Sequence, residues 1–169
     1  LFPPPGHAPQ DVYGFGKEAA RLARLALIAE QLGDAAAAHA LTVALVTAVE
    51  PWLSAANPAF ATPDKVGSGA FVYDTVWGGL VPRTAIATKD SDYGNGWYND
   101  HHFQYGYLAY ALGVACRADP SLCERHGAAV GDIVRDYAMP PGDRLAARFP
   151  VARCKDFYDG HSWASGLYP

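Results

Sequence analysis

The chain has 169 residues, a length that suits one domain, and half of them are apolar, enough to bury a core. Its 17 acidic and 13 basic residues leave a net charge of −4, and the basic residues are scattered. A nucleic-acid face needs clustered phosphate-neutralising charge, so the composition argues against that class of partner.

Alanine and leucine dominate the first third; glycine, proline, tyrosine and tryptophan dominate the rest. That split predicts packed helices followed by long structured loops. No apolar run reads as membrane-spanning and no signal peptide is visible. The chain opens at Leu1 with Phe2-Pro3-Pro4-Pro5-Gly6 and stops at Gly166-Leu167-Tyr168-Pro169. Both ends read as cuts through a longer protein.

In chain order, residues 1 to 12 are an irregular, proline-rich lead-in. Tyr13-Gly14-Phe15-Gly16 leads into a first helix from about Lys17 to Leu32, with Leu22, Ala23, Ala26 and Leu27 on a broad apolar face and Lys17, Arg21 and Arg24 on the wet side. Gly33 ends it and Asp34 caps a second helix, about Ala35 to Val49. Apolar positions cover nearly its whole circumference, which predicts burial on most sides. A two-residue connection makes the pair an αα-hairpin. Trp52 and Leu53 are expected to pack back, and Asn57-Pro58 and Thr62-Pro63-Asp64 then break any regular pattern. Phe71 to Asp74 is a short extended candidate, followed by Trp77-Gly78-Gly79, where the backbone must turn or approach something closely. Asp74 and Trp77 read either as core-edge residues or as groove-lining ones.

The stretch from Tyr93 to Tyr107 organises the chain. It packs an acid, two histidines, amides, a tryptophan and four tyrosines into fifteen residues, then runs on as a helix to about Ala115. Asp100 precedes that helix, either as an ordinary cap or as an acid at the mouth of a groove. A further helix spans about Leu122 to Tyr137, with Ala128, Val130, Ile133, Val134 and Tyr137 inward and Asp132, Arg135 and Asp136 read as solvated. Pro140-Pro141-Gly142 stops it, and Arg144 to Phe149 is either a helical turn or an extended run. Cys116 and Cys123 flank the turn between these two helices, as a disulfide or as two buried thiols, with Cys154 left over. No C-x-x-C occurs and no structural zinc site is expected.

The last segment, Arg153 to Gly166, again mixes acids, aromatics, glycine and histidine. Helix, turn, helix and loop return the chain to the end it left, so Asp100, His101, His161 and Trp163 are expected to share a cleft. Acids with tyrosines, tryptophans and amides suit sugar recognition. Glycosidic cleavage uses two carboxyl groups, one protonating the leaving oxygen and one activating water or attacking carbon. The candidates are Asp74, Asp92, Asp100, Asp156 and Asp159. Asp100 is the preferred acid, because Trp97, Tyr98, His101 and Phe103 around it would reduce its solvation and raise its pKa. No phosphate loop, nucleophile elbow or zincin motif is present. Adjacent His101 and His102 point about 100° apart on a helix, so one packs inward and one faces the cleft.

Tyr73-Asp74-Thr75-Val76-Trp77-Gly78-Gly79, then Asp92 to Tyr107 with Asn99-Asp100-His101-His102-Phe103-Gln104 at its centre, then Lys155 to Gly166 closely resemble glycoside hydrolase family 81. These are endo-β-1,3-glucanases, or laminarinases. The resemblance covers essentially the whole chain. It implies hydrolysis of internal β-1,3-glucosidic bonds with inversion, no metal and no cofactor. It also implies a mainly α fold, an (α/α)6 barrel preceded by a β-sandwich domain. The aspartate of the Asn-Asp-His-His motif, here Asp100, is the general acid on this resemblance. Asp74, Trp77, Tyr98, His101, Gln104, Asp156, His161 and Trp163 are expected to bind or shape substrate. The expected partner is β-1,3-glucan, with neither nucleic acid nor membrane, and the expected location is extracellular or at a cell wall.

Two departures stand out. Where the family has His-His-Phe-His, this chain has Gln104, which cannot titrate near neutrality. The resemblance also implies a catalytic glutamate in a motif downstream of His161-Ser162-Trp163-Ala164-Ser165-Gly166, and the chain ends first. Its glutamates, Glu18, Glu30, Glu50 and Glu124, all sit in helical contexts. The chain is therefore expected to be one incomplete segment of the catalytic barrel, without the sandwich domain or the remaining helices. The alternative is a non-catalytic β-glucan-binding module that grips sugar through Trp77, Trp97 and Trp163. A third, weaker reading is a hydrolase or lyase for another polysaccharide on a similar barrel.

Overall fold

The computed structural model describes residues 11–55, 71–86 and 88–167. The lead-in before residue 11 and the breaks at Asn57-Pro58 and Thr62-Pro63-Asp64 lie outside them. The described residues are mainly helical: α1 (Val12–Gln31), α2 (Ala35–Ala55), a hairpin of β1 (Phe71–Asp74) and β2 (Gly79–Pro82), short α3 (Arg83–Ile86), a 3₁₀ segment (Ser91–Trp97), α4 (His101–Ala118) and α5 (Pro120–Ala138). α1 pairs with α2 and α4 with α5 as two helical hairpins, and α1 lies along α4.

α1 starts five residues earlier than the apolar pattern indicates, despite Gly14 and Gly16 in its first turns. Acceptors explain this. Asp11 takes the Gly14 amide at 2.6 Å, and the distant Asp92 takes those of Val12 and Tyr13. At Gly16 a side chain would crowd the Tyr107 Cβ at 3.2 Å, so the glycine sets how closely α1 and α4 approach. The helix ends at Gln31 with Leu32 as its C-cap, and Gly33 follows with φ 75° in the left-handed region.

α2 is not buried on most sides. Leu45, Val49, Trp52 and Leu53 pack inward, while Val43 is half exposed. The helix runs through Pro51, which removes one amide donor, and the stacking of Trp52 on Phe15 (centroids 4.4 Å apart) holds its last turns. Its Ala35–Leu53 stretch is long and apolar enough to cross a membrane by length and composition, contrary to the expectation of no such run. Its inward residues join the core, where Trp52 stacks on Phe15 of α1 and lies against Phe71 of the hairpin.

α5 also turns differently from its hydropathy. Leu122, Ala129 and Ile133 face the core together with Asp132 and Asp136, whereas Ala128 and Val134 are exposed. The two aspartates can be inside because cations meet them. Arg148 and Arg135 reach Asp132 at 3.4 and 3.6 Å, and His101 and Arg153 reach Asp136. Cys116 and Cys123 form a disulfide across the α4–α5 turn, with Cα atoms 5.4 Å apart. Residues 143–149 form successive turns that seat Phe149 in the core beside Tyr73. The core joins Leu22 of α1, Leu45 and Leu53 of α2, Phe71 and Leu80 of the hairpin, Tyr105, Leu108 and Leu112 of α4, and Ile133 of α5.

Candidate active site

The 3₁₀ segment and the turn after it do not follow ordinary backbone. Asp92, Tyr93, Tyr98 and Asp100 all have positive φ, between 49° and 65°. Non-glycine residues there cost on the order of 1 kcal/mol each, so surrounding bonds must hold them. Asp92 is held by Val12 N at 2.9 Å and Tyr13 N at 3.1 Å. Burial pushes its carboxyl up to about 6, against the pull of those two backbone bonds.

Asp100 stands at the N-cap position of α4. Its left-handed backbone leaves the side chain without a capping bond. Asp11, Asp34 and Asp119 each spend a carboxylate oxygen on a nearby backbone amide. Asp100 spends only its backbone: its amide donates to the Ala164 carbonyl at 2.8 Å, and its carbonyl accepts from Gln104 N at 3.1 Å. The carboxylate therefore sits half-buried at a helix mouth without serving the helix.

The two histidines divide as expected on one count. His101 is sealed in, while His102 is half-buried against the Phe103 ring. His101 binds Asn95 Oδ1 through Nδ1 at 3.0 Å and Asp136 through Nε2. Gln104 is equally buried, bonded to Asn95 and to the Asp92 carbonyl. Both were expected to bind or shape substrate; at 0 % exposure they form the wall behind the turn. Tyr98 donates to Asp74 at 2.9 Å, and Asp74 also accepts from Val76 N. Trp77 stands out in the hairpin turn, half exposed.

The C-terminal segment meets this turn through its backbone. Leu167 N donates to the Trp97 carbonyl at 2.8 Å and Gly166 N to Asn99 Oδ1 at 2.6 Å, beside the Asp100–Ala164 bond. A Cβ on Gly166 would fall within 3.0 Å of the backbone of Trp97, Tyr98 and Asn99, so only glycine permits the approach. Just before it, residues 155–162 form a small hairpin closed by a Lys155–Ser162 bridge. Asp156 organises that hairpin, accepting from Tyr158 N, Asp159 N and Trp163 Nε1 at 2.8 to 3.0 Å, and these bonds hold its carboxyl below the usual range. His161 lies edge-on to Trp163, both half exposed.

The structure thus joins Asp74 to Tyr98, and the 164–167 segment to the 97–100 turn. Asp156, expected at the substrate, spends both carboxylate oxygens inside its own loop. Asp136 and Arg153 belong to the site and to none of the quoted motif roles. The sequence reads Asp136 as solvated, whereas it lies with Ala129 and Ile133 on the buried face of α5. Among the described residues no cluster of three His, Cys, Asp or Glu side chains is placed to hold a metal ion.

The glycosyl hydrolase family 81 C-terminal domain matches residues 7–169. Relatives named glucan endo-1,3-beta-D-glucosidase are similar to the chain: 37% identical over 164 residues in Thermobifida fusca, 36% over 160 in Acetivibrio thermocellus and 33% over 155 in Glycine max. These alignments cover 96%, 92% and 92% of this chain but only 20%, 19% and 22% of the relatives, so the chain spans about a fifth of their length. On a match that runs over nearly every residue, including both segments that meet at Asp100, the chain belongs to glycosyl hydrolase family 81.

Proposed function

We propose that the protein carrying this chain hydrolyses internal β-1,3-glucosidic bonds of β-1,3-glucan by an inverting acid/base mechanism, and that the chain is one segment of an (α/α)6 catalytic barrel. Asp100 is the general acid. The observation that carries this reading is its carboxylate, held at the mouth of α4 by a left-handed backbone and excused from capping. Trp77 and Trp163 supply exposed faces on which pyranose rings stack, and Tyr98, fixed by Asp74, shapes the groove between them. His101 and Gln104 position the turn from behind, and Asp156 with His161 holds Trp163 in place.

An inverting pair keeps its carboxyl groups roughly 6.5–9.5 Å apart to admit a water. Glu18, Glu30 and Glu50 are each paired with an arginine on helix surfaces, which suits structural roles. We place the base, as the family resemblance implies, on a glutamate downstream of residue 169. The Cys116–Cys123 disulfide favours an oxidising compartment, consistent with an extracellular or cell-wall enzyme acting on a polymer.

The second reading is a β-glucan-binding module, favoured by the exposed Trp77, Trp97 and Trp163. Reducing-sugar release from soluble β-1,3-glucan separates the two. The chain extended at its C-terminus should be active, and D100N in that background should lose about 10²–10⁴ of the rate while still binding glucan. Binding without hydrolysis by the extended, folded, unmutated protein would favour the module. Full activity in D100N would move the acid to another residue.

A further inference from the structure

Behind the Tyr98–Asp100 turn runs a chain of buried side chains with a single direction. A carbonyl only accepts, so the Asp92 carbonyl takes its hydrogen from Gln104 Nε2 at 3.0 Å. That turns Gln104 Oε1 towards Asn95, whose Nδ2 donates to it. Asn95 is left presenting Oδ1 to His101 Nδ1 at 3.0 Å, so this ring nitrogen donates, and Nε2 on the far side meets Asp136 Oδ2. Asn95, Gln104, His101 and Asp136 are all at 0 % exposure. The other oxygen of Asp136 accepts from Leu80 N at 3.0 Å and from Arg153 at 3.3 Å. Arg153 also donates to the Asp136 carbonyl at 3.0 Å and to the Gly78 carbonyl at 2.6 Å, and its guanidinium lies 4.2 Å over the Tyr98 ring.

We propose that Asp136 and Arg153 are positioning residues for the glucan-hydrolysing reaction, acting on Asp100 through His101 and Tyr98. The inference rests on Asp100 being the acid. Its logic is a competition for one carboxylate. Tyr98 and Asp100 both stand at positive φ, and each is next to a clamped ring: Tyr98 by Arg153 and Asp74, and the residue after Asp100, His101, by Asp136 and Asn95. An aspartate at a helix N-cap with extended backbone accepts from the amides of the first turn, as Asp11 does at φ −104°. Released from the clamp, the turn would relax to that geometry and Asp100 would become an ordinary cap. The helix would benefit and the acid would be withdrawn from substrate. Stability alone does not require such a cluster, since well-packed apolar groups often replace buried ion pairs without loss.

The test uses the C-terminally extended protein on soluble β-1,3-glucan, with D136N, R153K, D100N and the D100N/D136N double variant. Folding of each is checked by near-UV circular dichroism. D136N should lower kcat by about 10²-fold, the cost of a misplaced catalytic group, with KM unchanged. R153K keeps the charge but not the fork of donors, and should lower kcat in the same sense by less. Because Asp136 acts through Asp100, adding D136N to D100N should cost nothing further. Wild-type kcat in folded D136N overturns the proposal, as does wild-type kcat in R153K should D136N fail to fold, or a loss confined to KM. Additive losses in the double variant overturn it too. An inactive D100N beside normal D136N and R153K removes only the positioning role, whereas a fully active D100N removes the acid and this inference together.

Discussion

Asp92 is a carboxylate kept from water at the start of α1, where it binds two backbone amides across eighty positions of sequence. Burial raises its folded pKa to about 6 from 3.8. The native state therefore holds that proton longer than the unfolded chain, and stability falls as pH rises between those values, by on the order of 3 kcal/mol, then stays level. Thermal melts from pH 4 to 7 should show a downward slope in the wild type that D92N lacks; parallel curves would exclude Asp92 as its source. The sequence offers Asp92 and Asp100 among five candidate acids and prefers Asp100 for its aromatic and histidine neighbours. Backbone separates them, because Asp92 is consumed by α1 and Asp100 is not. Gln104, the departure from the family pattern, is buried between Asn95 and the Asp92 carbonyl.

At the scale of elements, the 155–162 hairpin hangs on one acid. Asp156 accepts three hydrogen bonds, and they hold its pKa below 3.8. Its folded pKa is depressed, so the hairpin's contribution is present above the unfolded value and is lost as pH falls through the folded one. Trp163 fluorescence should report that loosening with a midpoint below 3.8, and D156A should show the loosened signal already at neutral pH. A midpoint shared with global unfolding would tie the hairpin to the core rather than to Asp156. Helix existence and order were legible from apolar period, Gly33 and the stop at Pro140-Pro141-Gly142. The face of α5 was not, because hydropathy assigns aspartates outward and cannot see Arg148 or Arg153 arriving from later in the chain. The start of α1 escaped for the same reason, its acceptor being the remote Asp92.

At the scale of the molecule, α1 and α2 leave apolar side chains in water: Leu25, Ile28, Leu32 and Val43 are 40 to 79 % exposed. Patches of that kind drive association. Sedimentation of the 169-residue chain should therefore show concentration-dependent self-association that V43E weakens; a monomer at high concentration would show that these faces are tolerated. Two helical hairpins in contact were foreseeable, and among the described residues they close no barrel. The strap of residues 164–167 over the Asp100 turn carries a last implication, about time. Asn99 waits for a partner 67 residues away, and the Asp100 amide waits for Ala164. Pairings this far apart form late, after local helices, because loop closure precedes any reward. As the chain emerges during synthesis, α1, α2 and α4 can assemble while the Asp100 turn is still open. The bonded geometry of this turn is thus the last thing the region acquires, and a product truncated before residue 164 would lack the Ala164 and Gly166 bonds that hold it.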